Sequence, residues 1–194
     1  MPDLPRVLLL GDSIRMSYQP HVKRLLDGRA EVTGPADNCQ YSLFTLSSLG
    51  RWIVELGQPD IVHWNNGIHD VGHNPVRSPV QIPLADYRRN LEIILGRLLG
   101  TAPHVIWASS TPVHPDKPFL ETEWSWRNEE IDQYNDAARE LMESRNIPIN
   151  DLHAIVQNNM SEFLCEDMLH LSEAGQAACG KAAADCVSTF LSAG

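Results

Sequence analysis

The residues best suited to covalent chemistry lie at opposite ends of the chain. Near the start, the apolar run Val7–Leu10 stops at Gly11-Asp12-Ser13-Ile14. Glycine permits a tight turn there, and a helix opening at the serine would aim backbone N–H groups and its positive dipole end at a developing oxyanion. The chemistry this suggests is nucleophilic acyl transfer by Ser13, set against the plainer reading of an ordinary turn serine. Such a serine needs a histidine base, and the base needs an orienting carboxylate. Asp-x-x-His occurs as Asp60/His63, Asp70/His73 and Asp167/His170.

Spacing alone does not choose among the three. Asp60 and His63 fall at the start and middle of a strand-like run, where side chains three apart face opposite sides, so that pair reads as structural. Asp70/His73 lies just past the carboxyl end of the same run and stays geometrically open. Asp167/His170 sits in CEDMLHLSEAG, a short segment leading into the last helix, where a turn can fold the carboxylate back toward the imidazole Nδ1. This pair is favoured. A metal-dependent hydrolase is the chemical alternative, because His63, His69, Asp70 and His73 cluster within eleven residues. Gly72, Asn74 and Pro75 oppose the regular helix that would put His69 and His73 on one face, so neither metal nor other cofactor is expected.

The elements that must position these groups alternate. Strand-like runs occur at Val7–Leu10, Glu31–Thr33, Asp60–Asn65, His104–Ser109 and Ile147–Asp151, with helical patterns between most of them, which is the signature of a parallel sheet covered on both faces. Leu84, Tyr87, Leu91, Ile94, Leu95 and Leu98 keep helical spacing after Pro83. A later helix is expected to start at Asn128 as N-cap and to end before Pro148, and a final one to run from Ser172 to about Leu191. The connections Val71–Ile82 and Ser110–Arg127 are long and each follows a strand, so both should lie over the carboxyl edge where open α/β folds bind ligands.

Composition narrows the partners. A chain of 194 residues, 43% hydrophobic, suits one core and a single domain over 1–194. Lys and Arg total 15 against 25 Asp and Glu, and the formal charge of -10 opposes nucleic acid and acidic membrane surfaces. No basic segment followed by a long apolar stretch opens the chain and no run approaches a membrane span, so a cytoplasmic protein is expected. Cys39, Cys165, Cys179 and Cys186 show no CxxC spacing and read as reduced thiols, the last two as core residues.

With these residues in view, the chain resembles the SGNH (GDSL) hydrolases. GDSI is similar to the family's first block, with Ser13 as nucleophile, and DMLHLSEAG to its last, which supplies Asp167 and His170. The resemblance implies a flavodoxin-like three-layer α/β/α fold with a parallel sheet of about five strands, and a serine esterase. Two middle blocks depart from the pattern. The family's second-block glycine, whose N–H serves the oxyanion hole, has no counterpart in ADNCQYSLFT, and Ser42 is the nearest placement. The third block, usually Gly-x-Asn-Asp, reads Gly67-Ile68-His69-Asp70, so the side-chain donor is either His69 or Asn66 from a shifted backbone. Ser13, Ser42 and Asn66 or His69 would thus form the hole, in a distinct subgroup of the family.

The substrate side rests on Asp12, Arg15, Trp124, Trp126 and Arg127. The tryptophans could stack on a sugar or line an acyl pocket, or simply pin their loop to the core. The arginines could bind a substrate hydroxyl or carboxylate, or be solvated caps. Without a long apolar lid, a short acyl ester is expected, an acetyl group on a carbohydrate by family analogy. A catalytically inactive carbohydrate-binding module on the same fold is the remaining alternative.

Overall fold

The computed structural model describes residues 4–76 and 79–191. Strand β1 (Arg6–Leu10) is flanked by β2 (Glu31–Thr33) and β3 (Ile61–Trp64), then β4 (His104–Ala108) and β5 (Ile149–Asn150), all parallel, in the order β2-β1-β3-β4-β5. Helices α1 (Ser13–Leu25), α2 (Ser42–Leu56), α4 (Leu84–Leu99), α5 (Asn128–Ser144) and α8 (Glu173–Ser188) form the outer layers. Short helices α3 (Ile68–Val71), α6 (Leu152–Gln157) and α7 (Met160–Phe163) punctuate the connections. This is the expected α/β fold with its five-stranded parallel sheet.

Strand periodicity divides the core. Leu8, Leu10, Val62, Trp64, Val105 and Trp107 face a cluster shared with α2, α4 and α5, while Val7, Leu9, Ile61, Ile106 and Ala108 face α1 and α8. Both faces of the central strands are buried, which is why they read as continuous apolar runs. Trp64 and Trp107 meet edge to face with centroids 4.9 Å apart, filling the first layer. In the second, Gly180 lets α8 approach α1 closely: a Cβ there would lie 2.6 Å from the His21 Cβ. His63 is buried in this layer, as its strand position required, and Asp60 accepts the Arg6 N–H at the opposite end of the sheet from Ser13.

Three local expectations change. The cap of α5 is Arg127, not Asn128, because the Asn128 carboxamide is committed to Val113: Oδ1 accepts its N–H at 3.0 Å and Nδ2 donates to its carbonyl at 2.9 Å. Helix α8 ends at Ser188, short of Leu191, and β5 keeps only Ile149–Asn150. The two long connections do run together over the carboxyl edge, joined by an antiparallel bridge between His73 and Ser125; residues 77 and 78 of the first lie outside the described residues. Among the described residues, no helix is long and apolar enough to cross a membrane. All four cysteines are free; Cys39 and Cys179 are buried, Cys186 is partly so and Cys165 is exposed.

Candidate active site

The turn after β1 delivers Ser13 as the first residue of α1. Gly11 is needed there, since a Cβ would sit 2.7 Å from the Arg15 Cβ. Asp12 is the N-cap, and its Oδ1 accepts the Ile14 N–H at 2.9 Å. As a first-turn residue, Ser13 has no carbonyl four residues back within the helix to receive its own N–H.

Ser13 Oγ lies 3.0 Å from His170 Nε2, and His170 Nδ1 lies 2.5 Å from Asp167 Oδ2. Because a carboxylate only accepts, Nδ1 carries the proton and Nε2 is left to accept from the serine hydroxyl. The Asp167 side chain folds back in an Asx turn: Oδ1 accepts the N–H groups of Leu169 (3.0 Å) and His170 (2.9 Å), and the intervening Met168 takes φ 63°. Partial burial opposes ionisation, but the His170 imidazole and these backbone donors hold the Asp167 carboxyl well below the usual range. Of the three Asp-x-x-His pairs, only Asp167/His170 faces Ser13. The sequence reading missed Cys165, whose thiol donates to Asp167 Oδ1 at 3.1 Å, and Lys117, whose Nζ donates to the Asp167 carbonyl at 2.7 Å.

A pocket of about 260 Å³ opens at Ser13 and His170, lined also by Ile14, Asn38, Ile68, His69, Trp124, Trp126 and Leu169. His69 meets Trp124 edge to face at 5.1 Å, and Trp124 stacks on Trp126 at 5.7 Å. Trp126 donates its indole N–H to the Ile68 carbonyl at 2.7 Å, so it both pins its loop and lines the pocket. Burial holds His69 below the ordinary histidine range; the Asp12 charge works against this and His170 adds to it.

Several expected site residues are engaged elsewhere. Ser42 is not an oxyanion donor: its N–H and hydroxyl both go to the buried Asp70 carboxylate, and Asn90 Nδ2 donates to its Oγ. Asn66 is likewise committed, since Nδ2 donates to the Gln40 carbonyl and Thr45 Oγ1 at 3.0 Å each, while Oδ1 accepts the Trp64 indole N–H. Arg15 is buried and donates to the carbonyls of Gly11, Pro35 and Asp37 and to Gln19, tying the serine turn to the loop after β2. It therefore does not reach substrate. Asp12 is also buried, in its capping role. Arg127 lies over the Phe119 ring at 3.7 Å and beside Glu130, lining a separate groove with His73.

The loop after β2 explains the missing glycine. Gln40 has φ 49°, the left-handed conformation that glycine adopts most readily, two residues before the expected Ser42. Its N–H goes to Asn38 Oδ1 at 2.8 Å, leaving Nδ2 as the remaining donor of this pocket-lining carboxamide. A non-glycine residue in a left-handed turn carries no sequence signal, which is why neither position stood out.

The metal alternative fails on geometry. Buried His63 pairs with Asn150 at 3.0 Å, His69 faces the serine pocket, Asp70 holds Ser42, and His73 pairs with Glu130 at 2.6 Å. No His, Cys, Asp and Glu grouping with metal-binding geometry occurs among the described residues.

A parallel five-stranded sheet thus carries a hydrogen-bonded Ser13–His170–Asp167 chain at its carboxyl edge, the architecture of an α/β hydrolase. The chain belongs to the GDSL-like lipase/acylhydrolase family, whose model matches residues 9–178. Solved structures share the fold. The lipase/acylhydrolase from Enterococcus faecalis superposes with a TM-score of 0.76 at 22% identity, covering 97% of each chain. The acetyl xylan esterase AlAXEase gives 0.76 at 17%, covering 96% of this chain and 100% of its own. Axe2, an acetylxylan esterase from Geobacillus stearothermophilus, gives 0.74 at 16%, with 93% and 92% covered. A comparison with curated proteins returned no match.

Proposed function

We propose that the protein is a carboxylic ester hydrolase that removes a short acyl group, an acetyl, from a carbohydrate or similar small alcohol. The observation that carries this reading is the unbroken hydrogen-bond chain from Ser13 Oγ through His170 to Asp167, opening into a small, mostly apolar pocket.

In the proposed mechanism His170 Nε2 takes the Ser13 proton as Oγ attacks the ester carbonyl, giving a tetrahedral intermediate. Asp167 holds the imidazole tautomer and stabilises the imidazolium. His170 then returns the proton to the leaving alkoxide oxygen, and water, deprotonated by the same imidazole, hydrolyses the acyl-enzyme. The oxyanion is stabilised by the Ser13 N–H and a His69 ring N–H, with Asn38 Nδ2 completing the hole in place of Ser42 and Asn66. For His69 the Nε2–H tautomer fits best: Nδ1 is buried without a partner, and an unpaired acceptor is tolerated better than an unpaired donor. Ile14, Ile68 and Leu169 give the acyl group an apolar lining, and the exposed Trp124 offers a face for the sugar.

The acetyl xylan esterase structures support the choice of acyl group by analogy of fold alone. The test is a panel of acetylated sugars beside p-nitrophenyl esters of increasing chain length. Acetyl esters should be turned over best, with activity lost in Ser13→Ala. A preference for long chains would contradict the pocket assignment, and tight sugar binding without turnover would indicate the inactive binding module instead.

A further inference from the structure

Beneath the catalytic pocket lies a second, internal cavity. It encloses about 10 Å³, room for one water-sized sphere, and is lined by Asp12, Tyr18, Asn65, Ser110 and Thr111 among others. Ile14 and Ile68 line both spaces, so these two side chains form the partition. Every one of the five polar residues named is buried, with Asp12 and Tyr18 at 1% exposure and Ser110 and Thr111 at 3%.

Four polar atoms from these walls have no partner within the protein: Asp12 Oδ2, Tyr18 OH, Ser110 Oγ and Thr111 Oγ1. Buried polar atoms are rarely left so, and four around one cavity is a pattern. The other polar groups nearby are already used. Asn65 Nδ2 donates to the Ala108 carbonyl, the Ser110 backbone is clamped by the Asn135 carboxamide, and the Arg15 guanidinium serves three carbonyls and Gln19.

We propose that this cavity holds a single resident water molecule that bridges Asp12 Oδ2 to the hydroxyls of Tyr18, Ser110 and Thr111, locking the nucleophile turn to the end of β4. The water's own four valences are filled. The water donates one hydrogen to the carboxylate, which can only accept, and one to a hydroxyl; it accepts from the other two hydroxyls. The bridge acts on catalysis through Asp12, whose other oxygen caps the helix that begins at Ser13. Tyr18, Ser110 and Thr111 are thus positioning residues. The kinetic part of this inference rests on the esterase reading; the occupancy of the cavity does not.

The test combines a high-resolution crystal structure of the intact protein with a Tyr18→Phe/Thr111→Val double variant. The expected result is one peak within hydrogen-bond distance of Asp12 Oδ2 and at least two of the hydroxyls. The variant should lose it, with kcat for p-nitrophenyl acetate down roughly tenfold at unchanged KM, and Thr111→Ser should keep both water and rate. An empty cavity, or a peak with the ~2.3–2.6 Å contacts of a cation such as calcium, would overturn the site. Loss of the water at unchanged kcat would overturn its positioning role, and an absence of turnover in the wild type would count against the esterase reading while the density still decides the site.

Discussion

Ser13 and His170, separated by 157 positions in the chain, are joined by a 3.0 Å hydrogen bond at the carboxyl edge of the sheet. Neither residue reaches the other by local structure. Ser13 is fixed by the turn after β1, and His170 by the segment Cys165–Leu171, whose ends are held by Cys165 N–H to the His170 carbonyl and by the Leu164–Leu171 bridge. The short loop therefore presents the imidazole directly to the serine hydroxyl.

Asp167 is the member of this chain whose removal is most informative. Asp167→Asn keeps the side-chain volume but replaces one accepting oxygen with a donor, which favours the wrong imidazole tautomer. kcat should fall by roughly 10⁴ with little change in KM. A loss of less than tenfold, measured by steady-state kinetics on an acetyl ester, would mean that Asp167 does not orient the base.

The oxyanion assignment separates His69 from Asn66. His69→Ala should lower kcat by about 10²–10³ with the melting temperature little changed. Asn66→Ala should instead destabilise the fold by about 1–3 kcal/mol, because it strands the Trp64 indole N–H and frees the Gln40 loop. Kinetics and thermal melts on the two variants give opposite patterns if the assignment is right.

Trp124 tests the sugar face. Trp124→Ala should raise KM for acetylated sugars by about tenfold, equivalent to ~1.4 kcal/mol, while leaving p-nitrophenyl acetate nearly unaffected. Equal losses on both substrates would make Trp124 a wall of the acyl pocket.

Asp70 gives a pH prediction independent of turnover. Burial pushes its carboxyl up to about 7, against the hydrogen bonds from Ser42. The folded state thus keeps a proton that the unfolded chain releases near 3.8, so this contribution to stability is full below about pH 4 and is lost as pH rises through about 7. Relative to Asp70→Asn, the wild type should lose up to about 4 kcal/mol across that interval. The comparison cancels His63, which burial holds down at about 4 and which acts in the opposite sense, favouring the fold as pH rises from about 4 to 6.5. Urea midpoints at a series of pH values check the sign; a wild type that gains on the variant with rising pH would contradict it.

Much of this was legible in the chain because it depends on local pattern. The strands with both faces buried, the serine after β1 and the turn-forming Asp167-Met168-Leu169-His170 each announce themselves through short-range chemistry. Ser42 and Asn66 misled because their polar groups are spent on each other's neighbourhood, Ser42 on Asp70 and Asn66 on Thr45 and Gln40. Arg15 misled for a similar reason: a guanidinium with buried carbonyl partners looks the same in sequence as one reaching for substrate. Gln40 was invisible because a backbone conformation, not a residue type, carries its contribution, and Asn38 because the turn that fixes its carboxamide depends on that conformation.

Labelling with a fluorophosphonate probes the central claim most directly, because the reagent reacts only with a serine activated by its base. Intact-mass and peptide analysis should find one adduct per chain, on Ser13, formed rapidly in the native protein and abolished in His170→Ala and in urea. An unlabelled Ser13 in the folded wild type, or labelling that persists at the same rate without His170, would contradict the account.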